Sequence, residues 1–460
     1  MTNLAQWIHS KINKSSQPLS REAIDAYQLE KLREVIEICR ERSPFYHRCL
    51  KGFSSRQIAK LNDLSDFPFT TSQDICNNSL QFLCVSQDEI QRVVTLQTSG
   101  TTGNPKRLYF TRQDLELTID FFAHAMSAFV QSGEKVLILL PGEKPDSAGD
   151  LIAKGLERIQ VKGLIHGIVK DPERTAEEIK IQQPASLIGI PTQVLRLART
   201  QDIPKGIIRN IILTTDYVPL AIVRALEEIW DCQVFNHYGM TEMGLGGGIE
   251  CEVRGERFGV RGEKKRHYLS PLTSYPEPLI HFREADLYVE IIDPDTGDHK
   301  QDGDFGEIVF TTLTRNGMPL IRYRTGDMSR FLPEPCSCGT ILKRLERVQG
   351  RFSNKIRLGA DILSMADLDE ALFPIPTLLD YQAAFTQENH KSVLQILLYV
   401  KNGSTDSQIL TQTQAQDALH QISAIRKATE LRIRIDFCRD MPAVCPYRHT
   451  AGVEKRRIRM

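Results

Sequence analysis

The chain has 460 residues, with 58 Lys and Arg against 58 Asp and Glu, so its formal net charge is zero; 41% of residues are hydrophobic and 25% charged. That balance is ordinary for a globular protein and gives no general attraction to nucleic acid or to an anionic membrane. The length exceeds one compact core at roughly 100–200 residues per domain, and no apolar stretch reaches the roughly 18 residues of a membrane span. Ten cysteines are scattered without a regular framework, which fits a reducing cytosol with some thiols free to hold a metal. Residues 1–14 lack the apolar core of a secretory signal, so a cytoplasmic protein is expected.

Between residues 23 and 50, Tyr27, Leu29, Leu32, Val35, Ile36 and Cys39 recur at spacings near 3.6 with charges between them. This predicts helix, broken at Ser43-Pro44. Residues 63–71 read as a loop leading to a helix start. Then comes Leu96-Gln97-Thr98-Ser99-Gly100-Thr101-Thr102-Gly103-Asn104-Pro105-Lys106, a run of hydroxyls and glycines between two β-prone segments. Glycines let a backbone approach a ligand, successive N–H groups cradle anions, and hydroxyls add donors without charge. Phosphate is the natural guest. The spacing is not that of a Walker A loop, because Pro105 stands where the Gly before Lys is required. A plain polar hairpin turn is the competing reading.

A helix is predicted over 113–131. Short apolar runs follow at 135–140, 164–169, 185–190, 207–213 and 232–235, with helical patterns such as 174–183 and 220–230 between several of them. Such alternation predicts a parallel sheet covered on both faces, whose ligands bind beyond the carboxyl ends of the strands. The polar tails Thr214-Thr215-Asp216 and Asn236-His237-Tyr238-Gly239-Met240-Thr241-Glu242 stand out for that reason. From Leu287 the pattern turns to antiparallel strands, 287–292 and 307–313, with a turn at 293–298. The last hundred residues read as a small α/β unit with a helix over 365–372, a strand over 393–400 and a basic Lys455-Arg456-Arg457 tail.

Four stretches in this order, Thr98–Gly103, Tyr238-Gly239-Met240-Thr241-Glu242, Tyr323-Arg324-Thr325-Gly326-Asp327 and Gly350-Arg351, resemble the core motifs of the adenylate-forming superfamily. That superfamily includes acyl-CoA synthetases, luciferases and peptide-synthetase adenylation domains. Ser43-Pro44-Phe45-Tyr46, Phe67-Pro68-Phe69-Thr70-Thr71 and Pro319–Asp327 resemble one branch of it, phenylacetate–CoA ligase and its relatives, among them synthetases that adenylylate a deazaflavin coenzyme. The resemblance runs from about residue 25 to the end. It implies an α/β fold: a large N-terminal domain of α/β subdomains with a parallel sheet plus an antiparallel β region, over 1–350, and a small mobile α/β domain, over 351–460.

The resemblance also implies roles. Thr98, Ser99, Gly100, Thr101, Thr102 and Gly103, with Lys106 beside them, hold the β- and γ-phosphates of ATP. Tyr238 stacks on adenine, with Thr215, Asp216, Asn236, His237, Gly239 and Met240 around the nucleotide. Thr241 contacts the α-phosphate and Glu242 ligates Mg²⁺. Asp327 takes the ribose hydroxyls, with Arg351 nearby, and Lys455 is the lysine that the small domain brings to the adenylation step. A carboxylic acid attacks the α-phosphate to give an acyl adenylate and pyrophosphate; the thiol of CoA then displaces AMP after the small domain rotates. Gly189-Ile190-Pro191, the end of the fourth apolar run and Met243-Gly244 are expected walls of the acid pocket.

The implied cofactors and partners are ATP/AMP, Mg²⁺, CoA and a small-molecule carboxylic acid, with no nucleic acid and no membrane. The oligomeric state stays open, a homodimer included. Adenylyl transfer to a cofactor hydroxyl and a non-catalytic nucleotide-binding protein are the alternative readings. Three places depart from the family pattern: Phe352-Ser353-Asn354-Lys355 replaces an Asp pair at the pivot, Thr214-Thr215-Asp216 replaces Gly-Ala-Glu, and no Ser-Gly precedes Lys455.

Cys336-Ser337-Cys338, Cys251 and His281 supply three thiols and an imidazole, the makings of a closed tetrahedral zinc site. Some relatives of phenylacetate–CoA ligase resemble this pattern. His267 is the substitute for His281, and buried thiols acting as small hydrophobes are the competing reading. The basic run 254–266 is expected to be a solvated loop, since few aromatics interleave it.

Overall fold

The computed structural model describes residues 2–12, 18–96, 104–251, 279–348, 350, 355–388, 391–401, 405–428, 430–438 and 456–459. Helix α1 (Asn3–Ile12) buries Leu4, Ala5, Trp7 and Ile8. In α2 (Arg21–Arg42) the Ser20 hydroxyl accepts from the Ala23 N–H and so caps the helix start. Ser43 ends α2 and also caps α3 (Pro44–Cys49), accepting from the Tyr46 N–H. The predicted break at Ser43-Pro44 is therefore one serine serving two helices, with proline at the first helical position. A capping box of Thr71 and Asp74 starts α4 (Ser72–Asn78).

Strands β1 (Ile90–Leu96) and β2 (Lys106–Thr111) pair antiparallel, with Leu96 opposite Lys106 at the mouth of the hairpin. Residues 97–103, and with them Thr98, Ser99, Gly100, Thr101, Thr102 and Gly103, lie outside the described residues. Helix α5 is Arg112–Met126, shorter than the pattern predicted.

The expected alternation follows: β3 (Lys135–Ile138), α6 (Ala148–Arg158), β4 (Lys162–Ile165), α7 (Pro172–Gln182), β5 (Ser186–Gly189), α8 (Pro191–Thr200), β6 (Asn210–Leu213), α9 (Leu220–Trp230) and β7 (Gln233–Tyr238). The strands lie in the order β4-β3-β5-β6-β7, all parallel. The sheet then continues antiparallel through β8 (Gly248–Glu250) and β9 (Ile280–Phe282). The paired segments are mostly shorter than the apolar runs, because flanking residues such as Leu140 are buried beyond the strand ends. Helices α6 and α8 went unpredicted. The first carries two glycines, and the second starts at Pro191, which reads as the end of a strand.

A three-stranded antiparallel sheet follows: β10 (Leu287–Ile292), β11 (Gly306–Thr312) and β12 (Tyr323–Ser329). Strands β13 (Phe331–Leu332) and β14 (Arg344–Leu345) then return to the large sheet, β14 beside β9. Arg322 fastens this unit to the helical layer. It is 1% exposed and has a φ of +48°, rare for a side chain other than glycine. Its guanidinium donates to the carbonyls of Ser65 (2.6 Å) and Phe67 (2.7 Å), pairs with Glu290 and lies 4.1 Å from the Phe69 ring centre. Backbone bonds between Thr70 and both Arg322 and Arg324 complete the seam.

The remaining elements are β15 (Lys355–Leu358), β16 (Asp361–Ser364), α10 (Met365–Leu372), β17 (Leu378–Glu388), β18 (Lys391–Val400), α11 (Thr405–Gln421), α12 (Ser423–Lys427) and β19 (Leu431–Cys438). β17 runs antiparallel to β18, and β19 parallel to it. Arg459 exchanges backbone bonds with Ala383 and Phe385 along β17. Among the described residues, these strands pair only with one another or with Arg459. One apolar cluster nevertheless runs from α8 and α9 into α10 and β17.

Burial raises the pKa of Glu290, and Arg322 opposes that shift. Arg322→Met should therefore leave a buried carboxylate unpaired and cost about 3–5 kcal/mol, read as a lowered urea midpoint. Adding Glu290→Gln should restore part of that loss; no recovery in the double variant would refute the pairing argument.

Candidate functional site

The carboxyl ends of β6 and β7 open into a cleft. Seven of the residues singled out from sequence line it: Thr215, Asp216, Asn236, His237, Tyr238, Gly239 and Asp327. The Tyr238 hydroxyl donates to Asp327 Oδ2 at 2.8 Å. Asp327 is oriented in turn, its N–H donating to the Thr325 hydroxyl at 2.9 Å beside Gly326, which has a φ of +74°. Gly239 follows Tyr238 at a close approach: a Cβ there would lie 1.9 Å from the Leu245 carbonyl oxygen. No other residue fits, and the tyrosine is held at the edge of the sheet by that turn.

The chain continues through Met240 into a short 3₁₀ turn, Thr241–Met243. Glu242 is buried there. Its carboxylate is paired with Lys106 and accepts from the Tyr323 hydroxyl at 3.0 Å; Lys106 also reaches the Ser72 hydroxyl at 3.1 Å. Two buried arginines hold the turn from behind. Arg315 donates to the carbonyls of Glu242 (2.8 Å) and Tyr109 (2.9 Å), and Arg283 donates to that of Met243. Burial pushes the Arg315 pKa down to about 10 and lowers that of Arg283 as well. At neutral pH Arg315 is charged, so positive charge stands behind the Glu242 turn.

His237 lies within 6.1 Å of the Phe121 and Phe122 ring centres, and its Nδ1 is 2.7 Å from the Thr214 hydroxyl. Burial first, then Arg283, pushes its pKa down to about 4, so the ring is neutral at pH 7.

The far wall of the cleft comes from the last α/β unit: Ser364, Met365, Ala366, Asp369 and Arg456. The Arg456 N–H donates to Asp216 Oδ2 at 3.0 Å, and its guanidinium pairs with Asp369 and Asp380. Burial raises the Asp369 pKa to about 7 against the pull of Arg456. Sequence reasoning missed this wall, and it missed Tyr323, Arg283 and Arg315 as partners of the Glu242 turn. The one available signal was the place of Arg456 beside Lys455. Arg351 and Lys455 themselves, and His267, lie outside the described residues.

A second constellation gathers around β9. The ligand atoms of Cys251, His281, Cys336 and Cys338 all lie within 4.8 Å of one another. Register explains the gathering: β8 leads into Cys251, β9 carries His281, and β14, which follows the Cys336–Cys338 turn, pairs Arg344 with His281. Cys336 Sγ is 3.8 Å from Cys251 Sγ, and Cys338 Sγ is 3.6 Å from His281 Nε2. A Zn–S bond of about 2.3 Å implies a tetrahedral edge of about 3.8 Å, which the Cys251–Cys336 and Cys338–His281 edges match. His281 Nδ1 lies 3.1 Å from the Lys343 carbonyl, the contact that leaves Nε2 free to ligate.

Residues 82–314, half of the chain, match the family of AMP-binding enzymes, and the chain belongs to that family. It is similar to the phenylacetate-coenzyme A ligase of Thermus thermophilus, 26% identical over 437 residues that cover 90% of this chain and 91% of that one. The fold is that of 2-hydroxyisobutyryl-CoA ligase in its postadenylation state with 2-HIB-AMP, at a TM-score of 0.76, 18% identity and coverage of 94% and 89%. The same ligase with 2-HIB-AMP and CoA in the thioesterification state gives a TM-score of 0.64, at 19% identity and coverage of 95% and 91%. Among the described residues, no helix is long and apolar enough to cross a membrane.

The depressed His237 pKa makes a stability prediction. The folded state favours the neutral ring, so its contribution is complete above the unfolded value near 6.5 and is lost as the pH falls toward 4. The loss should be on the order of 3 kcal/mol. His237→Gln should remove that part of the acid sensitivity, measured as the drop in urea midpoint between pH 7 and pH 4.5; an unchanged drop would refute the assignment.

Proposed function

We propose that this chain is an AMP-forming acid–CoA ligase. A carboxylate attacks the α-phosphate of ATP, pyrophosphate leaves, and the thiol of CoA displaces AMP from the acyl adenylate. The observation that carries the reading is the Tyr238–Asp327 bond at the carboxyl edge of the sheet, with the buried Glu242 turn directly after it. An aromatic face for a purine and a carboxylate for ribose hydroxyls thus meet in one cleft, and the turn carrying an anionic ligand for a cation follows directly in the chain. The similarity to a phenylacetate-coenzyme A ligase over nine tenths of both chains supports the same conclusion and makes phenylacetate the first acid to test.

In this reading Tyr238 faces adenine, Asp327 accepts from the ribose and Thr241 meets the α-phosphate. Arg351 is assigned to the ribose, and Thr98–Gly103 to the outer phosphates. Asp216, Asn236, His237, Gly239 and Met240 shape the pocket around them. Glu242 would hold Mg²⁺: it is a buried carboxylate already paired with a cation, Lys106, at the phosphate end of the cleft. Bound there, Mg²⁺ offsets phosphate charge, the hard cation on oxygen ligands that such chemistry uses. Lys455 belongs to the tail whose next residue already touches Asp216, and it neutralises charge as the acyl adenylate forms. The protein's part is positioning and charge neutralisation.

Residues 1–350 and 351–460 serve as the two domains of this cycle. Cys251, His281, Cys336 and Cys338 hold a structural zinc that ties β8 and β9 to the Cys336–Cys338 turn. A cytoplasmic setting fits a reaction that draws on ATP and CoA in a protein with nine free cysteines among the described residues.

The test is pyrophosphate release from ATP and Mg²⁺ with phenylacetate and a panel of aryl and short-chain acids, each with and without CoA. Release stimulated by one acid, with a thioester formed only when CoA is present, is the expected result; silence with every acid would overturn the reading. Glu242→Gln should cut adenylation by about 100-fold or more in protein whose circular dichroism shows the fold retained, and a fully active variant would remove Glu242 from its role. Metal analysis should find one zinc per chain. Cys336→Ser should lose the zinc and melt at a lower temperature, whereas metal-free protein of unchanged stability would exclude the structural role.

A further inference from the structure

Among the described residues, polar ties join the last α/β unit to the large one at three places, and at the first of them Lys401 also donates to the Arg199 carbonyl at 3.1 Å. Arg199 near the end of α8 donates to the carbonyls of Phe373 and Leu378. The Arg456 N–H reaches Asp216. The third tie is Glu370 on α10, where four donors meet one carboxylate. Its Oε1 accepts from the Tyr217 hydroxyl, the Leu220 N–H and the Arg347 guanidinium, each at 2.8 Å, and its Oε2 accepts from the Ala221 N–H at 3.0 Å.

Each donor has a place in the site. Leu220 and Ala221 open α9, whose N-cap, Pro219, has no side-chain acceptor to offer. The exposed N–H groups and positive end of that helix are therefore satisfied by a carboxylate from the other unit. Tyr217 follows Thr215 and Asp216 in the cleft wall, and burial raises its hydroxyl pKa so that it remains a donor. Arg347 also donates to the Val218 carbonyl at 2.9 Å and lies 5.1 Å from the Tyr217 ring centre. One carboxylate thus fixes α10 to the loop that forms one wall of the nucleotide cleft.

We infer that Glu370 is a positioning residue for the adenylation half-reaction, a latch that holds the last unit over the nucleotide and releases before thiol transfer. The inference rests on the acid–CoA ligase reading. The two states of 2-hydroxyisobutyryl-CoA ligase are arrangements of one chain, and the arrangement here agrees better with the postadenylation one. The Glu370 side chain is 32% exposed, so water can replace the donors as they part. Such a contact is strong enough to bias an arrangement and weak enough to break within a catalytic cycle.

The test uses the full chain with Glu370→Gln, which keeps the shape of the side chain and removes its charge, and Arg347→Lys as a second variant. Adenylation is read as acid-dependent ATP–pyrophosphate exchange, and the second step as thioester formation from synthetic acyl adenylate and CoA. Small-angle X-ray scattering reads the arrangement without ligand. Exchange should fall roughly tenfold with the loss of a charge-assisted contact, thioester formation should hold or rise, and the scattering profile should shift from that of the wild type. Equal loss in both steps, or no loss in either, overturns the latch. Wild-type protein that exchanges with no acid refutes the ligase reading instead; the scattering comparison then decides the latch, and identical profiles overturn it.

Discussion

The hydrogen bond from Tyr238 to Asp327 joins two sheets that share no strand. Tyr238 ends β7, the last parallel strand of the large sheet, and Asp327 lies in β12 of the three-stranded sheet. The cleft exists because these two edges meet. Everything around the bond keeps them registered: Gly239 admits the Leu245 carbonyl, Arg315 and Arg283 grip the turn that follows, and Arg322 pins the β12 end to the segment 65–71. Long cationic side chains do this work because a guanidinium can satisfy several carbonyls at once where the chain is irregular and a backbone ladder is not available.

The charges of the site come in pairs with one member on each side of a seam. Glu242 lies on the β7 side with Lys106 on the β2 side, and Glu370 of α10 meets Arg347 at the end of the large unit. Such pairs cost desolvation and add little stability on balance. They do give the seams a preferred alignment, and their partners can be exchanged for those of a highly charged ligand.

What could be read from sequence followed the reach of the interaction. The central parallel strands β3, β5, β6 and β7 were legible because they are largely buried and so form nearly unbroken apolar runs, while the edge strand β4, with no fully buried residue, was legible from its short apolar run alone. The tails after β6 and β7 were legible because the position of a ligand follows from the topology. Strand β12 was visible as a motif and hidden as a strand, since Arg324, Gly326 and Asp327 interrupt any alternation. The support of the site was hidden for another reason: Arg315 acts on Tyr109 across 206 residues, and nothing local marks an arginine destined for burial. Cys251 and Cys336 are 85 residues apart, yet residue type alone announced them, because few structures bring three thiols and an imidazole together without a purpose. The wall from the start of α10 escaped notice because Met365 and Ala366 carry no chemistry of their own and nothing local marks Asp369 as turned toward a cleft.

The apolar cluster that runs from α8 and α9 into α10 and β17 has a thermal consequence. Any reorientation of the last unit exposes part of that surface to water, and exposed apolar surface raises heat capacity. The enthalpy of the reorientation therefore changes with temperature. Its rate should follow a curved rather than a straight temperature law, and cooling should weaken the hydrophobic part of the contact while the ionic ties persist. A protein joined at this seam by charges alone would lack that curvature.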